Sequence, residues 1–338
     1  MTDYKVAFTE HLYPETAVEQ GILEKVGASL AIGQCRTEDD VIAIARDADA
    51  LLTYVFKPIS EKIMAACGKV KIILRAGIGV DTVDIPAATR HGIVVTNLPG
   101  FCTNEVADLT IAMMQSLLLK LPIAMKQTQS GGWDRGAIKP IYSLNTMTVG
   151  IVGFGSIGRQ SARRAAAFGM TVLFYDPMVA GDVAIGETTA RNVGLDELFG
   201  QSDAILLHAP ATAETHHLIN RQTLAKVKQG AVLVNTARGA LVDTDAVVEA
   251  LRSGRLGGAA FDLIENVPPW SAEHPLLQFE NVIVTPYYAW YTENSVAYAR
   301  RRAAEEIARV LTGRRPLAVV NPDVLANARA GQLKESAQ

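Results

Sequence analysis

A glycine-rich turn between two apolar segments constrains this chain more than any other sequence feature. Residues 148–177 are TVGIVGFGSIGRQSARRAAAFGMTVLFYDP. An apolar run leads into three spaced glycines, a stretch with helical spacing follows, and a second apolar run ends at Asp176. A GxGxxG pattern alone is weak evidence. A strand before it, a helix after it and an acid at the end of the next strand together indicate a dinucleotide-binding unit.

Each part of this turn has its own physical role. Gly153 permits the tight turn, Gly155 lets the backbone approach a pyrophosphate, and Gly158 allows the helix to pack closely on the strand. The helix begins near Ser156 and Ile157. Its first N–H groups and the positive end of its dipole favour phosphate. We therefore expect all five residues to contact the dinucleotide.

The acid at the end of the second apolar run bears on the choice between the two nicotinamide dinucleotides. Asp176 is placed to accept hydrogen bonds from the hydroxyls of the adenosine ribose, and its charge would repel a 2′-phosphate. Neither arginine nor lysine occurs among the three residues that follow it. The sequence therefore predicts NAD, rather than NADP, as the cofactor.

Composition limits the partners. The 338 residues carry a formal net charge of −3 without a basic patch, so neither nucleic acid nor a membrane surface is an expected partner. The cysteines at positions 35, 67 and 102 form no CxxC pattern, which argues against a metal site and a disulfide framework. There is no leader pattern and no apolar run of membrane-spanning length. We expect a cytoplasmic protein with a small-molecule substrate.

Apolar runs alternate with helical patterns along most of the chain, which predicts an α/β fold with parallel sheets built from right-handed βαβ units. Before residue 100 the predicted strands are 5–8, 29–32, 50–54, 71–75 and 93–97, with helices at 15–24, 38–46 and 60–66. After it we predict six parallel strands of a doubly wound sheet, among them 204–208, 231–235, 258–262 and 281–285, with helices at 221–228 and 244–252. The tail after residue 321 is expected to be loosely ordered.

Two helical patterns bear on the domain organisation. Residues 103–127 are apolar on nearly all sides, which fits a core helix and a subunit interface equally well. Residues 295–311 follow the complete dinucleotide unit, and we expect them to pack on the first domain. The chain is thus predicted to form a discontinuous domain, residues 1–100 and 292–338, and a Rossmann-type NAD-binding domain, residues 101–291. Two crossings between the domains would make a hinged cleft.

The residues directly after each strand are candidates for the site, because ligands of open parallel sheets bind at the carboxyl ends of the strands. Arg238 comes shortly after the predicted strand at 231–235. A guanidinium is a natural binder of a carboxylate, since its planar fork meets both oxygens and stays charged. The sequence therefore predicts that Arg238 holds an acid substrate.

A series of motifs resembles the D-2-hydroxyacid dehydrogenase family, and in particular its branch of C-terminal-binding-protein-like dehydrogenases. The motifs are LRAGIGVDTVD, NLPGFCTNEVAD, GWDRGAIKP, GIVGFGSIGR, LHAPATAET, NTARGALVD and AWYTE. The resemblance covers nearly the whole chain. It implies two lobes of Rossmann-like and flavodoxin-like fold, with the discontinuous domain binding the substrate. It also implies an NAD-dependent reaction and a homodimer with its interface around the long helix.

The resemblance assigns roles to single residues. It makes Arg238 the group that polarises the substrate carbonyl and binds the carboxylate, with the backbone of Ile78 and Gly79 as further donors. Trp290 matches an aromatic residue at the substrate pocket of the branch, and a structural tryptophan at the domain hinge is an equal alternative. Contacts to the cofactor are implied for Thr103, His208, Ala209, Pro210, Thr215, Thr236, Ala237, Arg238 and Asp262.

The chain departs from the family pattern at the pair of residues that transfers the proton. The family has an acid before a proline in one loop and a histidine after Thr-Pro in another, and these positions hold Val267 and Tyr287 here. A phenol is protonated at neutral pH and can donate a proton to a developing alkoxide. Glu265 could replace the missing acid or remain a surface glutamate. Lys57 could add a cation to the cleft or remain a solvated lysine.

Three functional hypotheses follow from these residues. The first is an NAD-dependent oxidoreductase that acts on a small 2-oxo or 2-hydroxy acid, with Tyr287 as an atypical acid/base residue. The second is an NAD-binding protein without ordinary turnover, such as an NAD sensor similar to the corepressor members of the branch. In the third, NAD is used in a closed redox cycle for a reaction without net oxidation. The fold is the same for all three, so it does not choose between them.

Overall fold

The computed structural model describes residues 4–54, 58–267 and 269–335. The chain forms two compact units, which we call the first unit, Met1–Phe101 with Thr292–Gln338, and the second unit, Cys102–Tyr291. Each unit is built on a sheet of its own that is wholly or mostly parallel. The predicted α/β class is confirmed.

Strands and helices alternate along the chain. The strands are β1 (Tyr4–Phe8), β2 (Ala28–Ile32), β3 (Ala50–Thr53), β4 (Ile72–Arg75), β5 (Val94–Thr96), β6 (Thr148–Val152), β7 (Thr171–Tyr175), β8 (Val183–Ile185), β9 (Thr188–Asn192), β10 (Ala204–Leu207), β11 (Ala231–Asn235), β12 (Leu256–Phe261) and β13 (Val282–Val284). The α-helices are α1 (Ala17–Leu23), α2 (Glu38–Ala45), α3 (Glu61–Ala66), α4 (Ile85–Arg90), α5 (Thr103–Leu118), α6 (Leu121–Gln129), α7 (Ser156–Ala167), α8 (Leu195–Gln201), α9 (Arg221–Lys226), α10 (Thr244–Arg252) and α11 (Glu293–Leu311).

The first unit has a parallel sheet in the order β2-β1-β3-β4-β5. Every residue of β3 and β4 is buried, as expected for central parallel strands that are covered on both faces. Helix α11 contributes Ala299, Ala303, Ile307 and Val310 to one of the two apolar cores, at the spacing of a single helix face. The C-terminal helix therefore belongs to the fold of the first unit.

A buried ion cluster joins α11 to α1 in the first unit. Arg300 donates from Nε and Nη2 to the two carboxylate oxygens of Glu19, both at 2.7 Å. It also donates to a side-chain oxygen and the carbonyl oxygen of Glu15, each at 2.7 Å. Its guanidinium lies 4.9 Å from the centre of the Tyr13 ring. Arg300 and Glu19 are 9% and 1% exposed, so each charge depends on the other for compensation.

The tail after residue 321 packs on the first unit, so the expectation of a loosely ordered tail is wrong for its described part. Asn321 accepts from the Val95 N–H at 2.8 Å and donates to the Ile93 carbonyl at 3.0 Å. Val324 is 1% exposed, and Arg329 donates to the Cys67 carbonyl at 3.0 Å. Edge strand β5 is thereby covered by the chain end.

The second unit has an eight-stranded sheet in the order β13-β12-β11-β10-β6-β7-β9-β8. The six predicted parallel strands are present, and β9 pairs in parallel with β7 as an additional strand. Strand β8 pairs with β9 in antiparallel fashion at the edge. The sequence did not predict this hairpin, because its strands are short and half exposed and form no continuous apolar run.

The single helix expected over 103–127 is wrong, since the chain breaks it into α5 and α6. Lys120 adopts φ +52° between them, and a proline follows in the first turn of α6. Helix α5 lies in the core, whereas no residue of α6 is buried, and Leu121 and Met125 are 48% and 50% exposed. No single helix in the described residues meets the requirements for crossing a membrane. The bent pair α5 and α6 meets them together, by length and composition only.

Candidate active site

The glycine turn after β6 has the geometry of a phosphate cradle. Gly153 adopts φ +91°, and a Cβ on it would lie 2.6 Å from the Ala209 nitrogen. A Cβ on Gly158 would overlap the Gly153 carbonyl oxygen, so the first turn of α7 packs directly on the loop. Gly155, the residue before Ser156, has open space on the side where a Cβ would point. These residues fit a dinucleotide pyrophosphate at the start of α7.

Asp176 lies against the same turn. Its Oδ2 accepts from the Phe154 N–H at 2.7 Å, and its Oδ1 accepts from the Met178 N–H at 2.9 Å. The carboxylate is therefore held beside the glycine turn at the end of β7. This is the position at which a ribose-binding acid of a dinucleotide fold is expected.

His208 follows β10 and packs behind the glycine turn. Its Nε2 lies 2.9 Å from Oγ of Ser161, which is fully buried on α7. Burial lowers the pKa of His208 to about 4, so the imidazole is neutral at pH 7. A buried, neutral ring bonded to α7 is poorly suited to act as an acid/base group. The next turn is closed by Thr215, whose hydroxyl donates to the Pro210 carbonyl at 2.7 Å.

Arg238 lies in a loop that is fixed by its own strand. Asn235 at the end of β11 donates from Nδ2 to the Arg238 carbonyl at 2.8 Å and accepts from the Ala237 N–H at 3.1 Å. The Arg238 guanidinium donates from Nη1 to the Ala237 carbonyl at 2.8 Å. The buried Thr236 hydroxyl lies 2.7 Å from the Thr110 hydroxyl of α5. The sequence thus builds a rigid support under the guanidinium.

A buried carboxylate shapes the turn that carries Tyr287. The carboxylate of Asp262, which is 2% exposed, accepts from the Thr285 hydroxyl at 2.6 Å and from the N–H groups of Tyr288 and Ala289 at 3.0 and 2.9 Å. Burial raises the pKa of Asp262, and these hydrogen bonds oppose the shift. Tyr287 donates its N–H to the Asp262 carbonyl at 3.0 Å and adopts φ +55°, which is rare for a residue other than glycine. The surrounding bonds therefore fix the backbone of the tyrosine.

Trp290 supports the same turn from the other side. Its Nε1 donates to the Tyr287 carbonyl at 3.0 Å, and its ring meets that of Tyr291 edge-on, with 5.7 Å between the ring centres. Trp290 therefore has a structural contact to Tyr287, whatever it also contributes to a substrate pocket.

The loop after β12 does not bring Glu265 to the position of the missing acid. Val267 is half-buried and its N–H lies 3.4 Å from the Ile264 carbonyl. Glu265 points instead to two histidines, with its oxygens 3.3 Å from His216 Nε2 and 2.7 Å from His217 Nε2. This contact could not be predicted from the sequence, because His217 is 48 residues away from Glu265 and His216 one residue more. Lys57, the other candidate replacement, lies outside the described residues.

In the first unit, the candidate backbone donors follow β4. The side chain of Asn97 donates to the Ile78 carbonyl at 2.6 Å, which holds the turn before Gly79. The 4% exposed Arg75 lies beneath this turn, and a Cβ on Gly77 would overlap its Nη1. Thr103, another predicted cofactor contact, is the first residue of α5 in the second unit. The sequence analysis did not predict a role for Arg75.

Comparison with protein families gives one match for the second unit. The model described as "D-isomer specific 2-hydroxyacid dehydrogenase, NAD binding domain" matches residues 111–289. The glycine turn, Asp176, Arg238 and Tyr287 all lie within the matched residues. The predicted NAD cofactor is thereby confirmed for this domain.

Whole-chain similarity extends over both units. A D-3-phosphoglycerate dehydrogenase of Methanocaldococcus jannaschii is 37% identical over 98% of this chain, which spans 62% of that relative's length. A glyoxylate reductase of Thermofilum pendens is 38% identical over 86% of each chain.

Two solved structures have a similar fold. A crystal structure of D-lactate dehydrogenase from Aquifex aeolicus, complexed with NAD and lactic acid, superimposes with a TM-score of 0.82 at 28% identity, covering 96% of this chain and 98% of the other. The crystal structure of a protein from Thermus thermophilus gives a TM-score of 0.83 at 33% identity, covering 94% of this chain and 99% of the other.

Proposed function

Because the chain belongs to the D-isomer specific 2-hydroxyacid dehydrogenase family, we propose that it is an NAD-dependent oxidoreductase that interconverts a small 2-oxo acid and its D-2-hydroxy acid. One observation carries this proposal: the loop that holds Arg238 and the glycine turn both come directly after strands of the same sheet. Strands β6, β10 and β11 are adjacent and parallel, so the turn after β6 and Arg238 after β11 lie at the same edge of the sheet. An anion-binding guanidinium and a dinucleotide cradle at one edge suit hydride transfer to a carboxylate-bearing carbonyl.

We assign separate roles in the reaction to residues of the second unit. NAD accepts or supplies the hydride when it is bound. Arg238 binds the carboxylate of the substrate and polarises its carbonyl, since its fork offers parallel donors. His208 stays neutral and forms part of the pocket wall. For the first unit, the N–H groups of Ile78 and Gly79 remain our predicted donors to the carboxylate.

We further propose that Tyr287 donates the proton that the reduced oxygen requires. The phenol occupies the sequence position of the family histidine, and the Asp262 network holds its backbone. Val267 leaves no acid at the family position, so the pair has been replaced as a whole. We also assign the chain to the branch of C-terminal-binding-protein-like dehydrogenases, an assignment that the AWYTE motif with Trp290 supports and from whose pattern the replaced pair departs.

The direct test of the function is an assay of NADH oxidation with a panel of small 2-oxo acids, including glyoxylate, hydroxypyruvate and pyruvate. We expect NADH absorbance to decrease with at least one acid, and the product to be the D enantiomer wherever its C2 is a stereocentre. Binding of NADH without oxidation by any acid would favour an NAD-sensing protein. Conversion of a substrate without net change in NADH would favour a closed redox cycle.

Restoring the family pair should increase turnover. We expect the double variant Val267→Glu with Tyr287→His to raise kcat for 2-oxo acid reduction by about 10²-fold, because a general acid/base of matched pKa contributes about 10²- to 10⁴-fold. The comparison variant is Val267→Gln with Tyr287→Phe, which removes the proposed phenol donor without adding an acid/base pair and should therefore be slower than the unaltered protein. A restored double variant no faster than the unaltered protein would show that the missing pair does not limit the reaction.

The charge of Asp176 should determine the preference for NAD. We expect Asp176→Asn to decrease the ratio of the NADPH and NADH dissociation constants by about ten-fold, which corresponds to about 1.4 kcal/mol. The substitution also weakens the hydrogen bonds to the glycine turn. A loss of affinity that is common to both dinucleotides does not change the ratio of their dissociation constants. Fluorescence titration measures both constants, with Asp196→Asn as the control, because the Asp196 side chain on α8 is exposed. An unchanged ratio would contradict the assigned role of Asp176.

We propose that the protein is a homodimer in the cytoplasm. Leu121 and Met125 of α6 are half exposed and Trp133 is 93% exposed, which is unusual for large apolar side chains without a partner surface. Cys35, Cys67 and Cys102 are free thiols, which fits a reducing compartment. Sedimentation equilibrium should give the mass of a dimer, and Leu121→Glu with Met125→Glu should give that of a monomer. A monomeric unaltered protein would contradict the proposal.

A further inference from the structure

Three side chains converge at a place in the second unit that the proposed reaction does not use. His216 and His217 lie in the segment between β10 and α9, and Glu265 lies in the loop after β12. The Nε2 atoms of the two histidines lie 3.3 and 2.7 Å from the two carboxylate oxygens of the glutamate. We call these three residues the His-His-Glu cluster.

The backbone brings both imidazoles to the same side. In an extended chain, neighbouring side chains point in opposite directions. His217 adopts φ +48°, which reverses the chain locally, and the two rings stack with 4.0 Å between their centres. The His217 N–H donates to the Ala240 carbonyl at 2.8 Å, and the Asn220 side chain donates to the His217 carbonyl at 2.8 Å. These bonds fix the unusual turn.

The glutamate is also held by its backbone. A Cβ on Gly239 would overlap the Glu265 nitrogen, so this loop lies directly on the residue that follows Arg238. The next residue, Asn266, adopts φ +60°. The glutamate therefore approaches the histidines from a fixed backbone rather than from a free surface loop.

We propose that the His-His-Glu cluster is a binding site for Zn²⁺ or a similar divalent transition metal, contrary to the sequence expectation of no metal. Two imidazole nitrogens and one carboxylate oxygen are a ligand set that zinc uses, at distances of about 2.0–2.2 Å. Tetrahedral ligands at such distances are about 3.3 Å apart. The two histidines contact different oxygens of the carboxylate, His216 Nε2 at 3.3 Å from Oε1 and His217 Nε2 at 2.7 Å from Oε2. A metal on one of these oxygens therefore needs a small rotation of the carboxylate.

The cluster offers three protein ligands and access for a fourth. The ligand atoms all lie within 4.8 Å of one another. The His216 side chain is 54% exposed, whereas those of His217 and Glu265 are 36% and 26% exposed. Water can therefore complete the coordination from the solvent side. A bound metal would link the segment before α9 to the loop that carries Val267, and this inference does not depend on the proposed dehydrogenase activity.

The test is a calorimetric titration of Zn²⁺ into the full-length, chelator-treated protein without an affinity tag. We expect saturable binding of one Zn²⁺ per chain. His216→Gln, His217→Gln and Glu265→Gln should each weaken binding by at least about ten-fold, since even indirect support of a metal ligand has effects of this size. X-ray absorption at the zinc edge should show imidazole ligands.

The matched control is His91→Gln in the first unit. His91 also lies near a carboxylate, with Nε2 3.5 Å from Glu61, but the described part of the chain places no second histidine with this pair. This variant should bind zinc as the unaltered protein does. Because the side chain of His216 is largely exposed, its variant should fold normally, and circular dichroism checks this. Absence of saturable binding, or equal affinity in all three cluster variants and the unaltered protein, would overturn the proposal.

Discussion

Replacing Arg238 by glutamine is expected to lower kcat/KM for the best 2-oxo acid by about 10³-fold, because one preorganised donor to a developing oxyanion contributes about 10²- to 10³-fold and the carboxylate also loses its cation. Glutamine keeps a hydrogen-bonding side chain but lacks the charge and the fork. Steady-state kinetics of NADH oxidation give the effect. The kcat/KM of Arg238→Lys should lie between those of the unaltered protein and Arg238→Gln, since an ammonium keeps the charge without the bidentate geometry.

Two checks make this result specific to the site. Arg252→Gln at the end of α10 removes an arginine from the same unit and should leave kcat/KM within about two-fold, as expected for a surface change. Circular dichroism shows whether the loop variant keeps its fold. An Arg238→Gln protein with kcat/KM within about ten-fold of the unaltered enzyme, a range of about 1.4 kcal/mol, would contradict the assigned role of the guanidinium.

Replacing Arg300 by alanine is expected to lower the free energy of unfolding by about 3–5 kcal/mol, because it leaves the carboxylate of Glu19 buried without a cation. Glu19 is 1% exposed and receives two hydrogen bonds from the guanidinium. Both helices that the pair joins, α1 and α11, belong to the first unit, so the loss should appear in the unfolding of that unit. Urea denaturation followed by circular dichroism measures it.

The adjacent residue supplies the control. Arg301→Ala removes an exposed arginine that pairs with Glu305 at 3.2 Å on the same helix, and it should change stability by at most about 1 kcal/mol. Arg300→Met together with Glu19→Leu should recover much of the loss, because neither charge then remains buried alone. An Arg300→Ala protein as stable as the Arg301→Ala protein would show that the buried pair is not a principal support of α11.

The fold was largely predictable because its signals are local. Continuous apolar runs such as β11 and the periodic apolar face of α10 determine strands and helices within a few residues. The hairpin β8–β9 was missed because pairing at a sheet edge buries little apolar surface. The break before α6 had a visible signal in Pro122, which the strong apolar character of the segment outweighed.

The candidate site could be proposed from the sequence where a motif has a fixed meaning, as with the glycine turn and the family that it indicates. It was not predictable where distant segments meet. The Asp262 carboxylate accepts hydrogen bonds from the backbone after Tyr287, and Tyr287 itself adopts a left-handed conformation. Both features depend on tertiary contacts between two loops. The His-His-Glu cluster joins His217 to a glutamate 48 positions away and has no spacing pattern typical of a metal site.

We propose that hydride passes between NAD and a 2-oxo acid although Val267 and Tyr287 replace the proton-transferring pair of the family. The most direct measurement uses NADH with deuterium at the transferred position of C4, incubated with the protein and the 2-oxo acid panel, with products analysed by mass spectrometry and NMR. We expect a D-2-hydroxy acid that carries deuterium at C2, formed in the same amount as NAD. Tight binding of the labelled NADH with no deuterium in any product would contradict it.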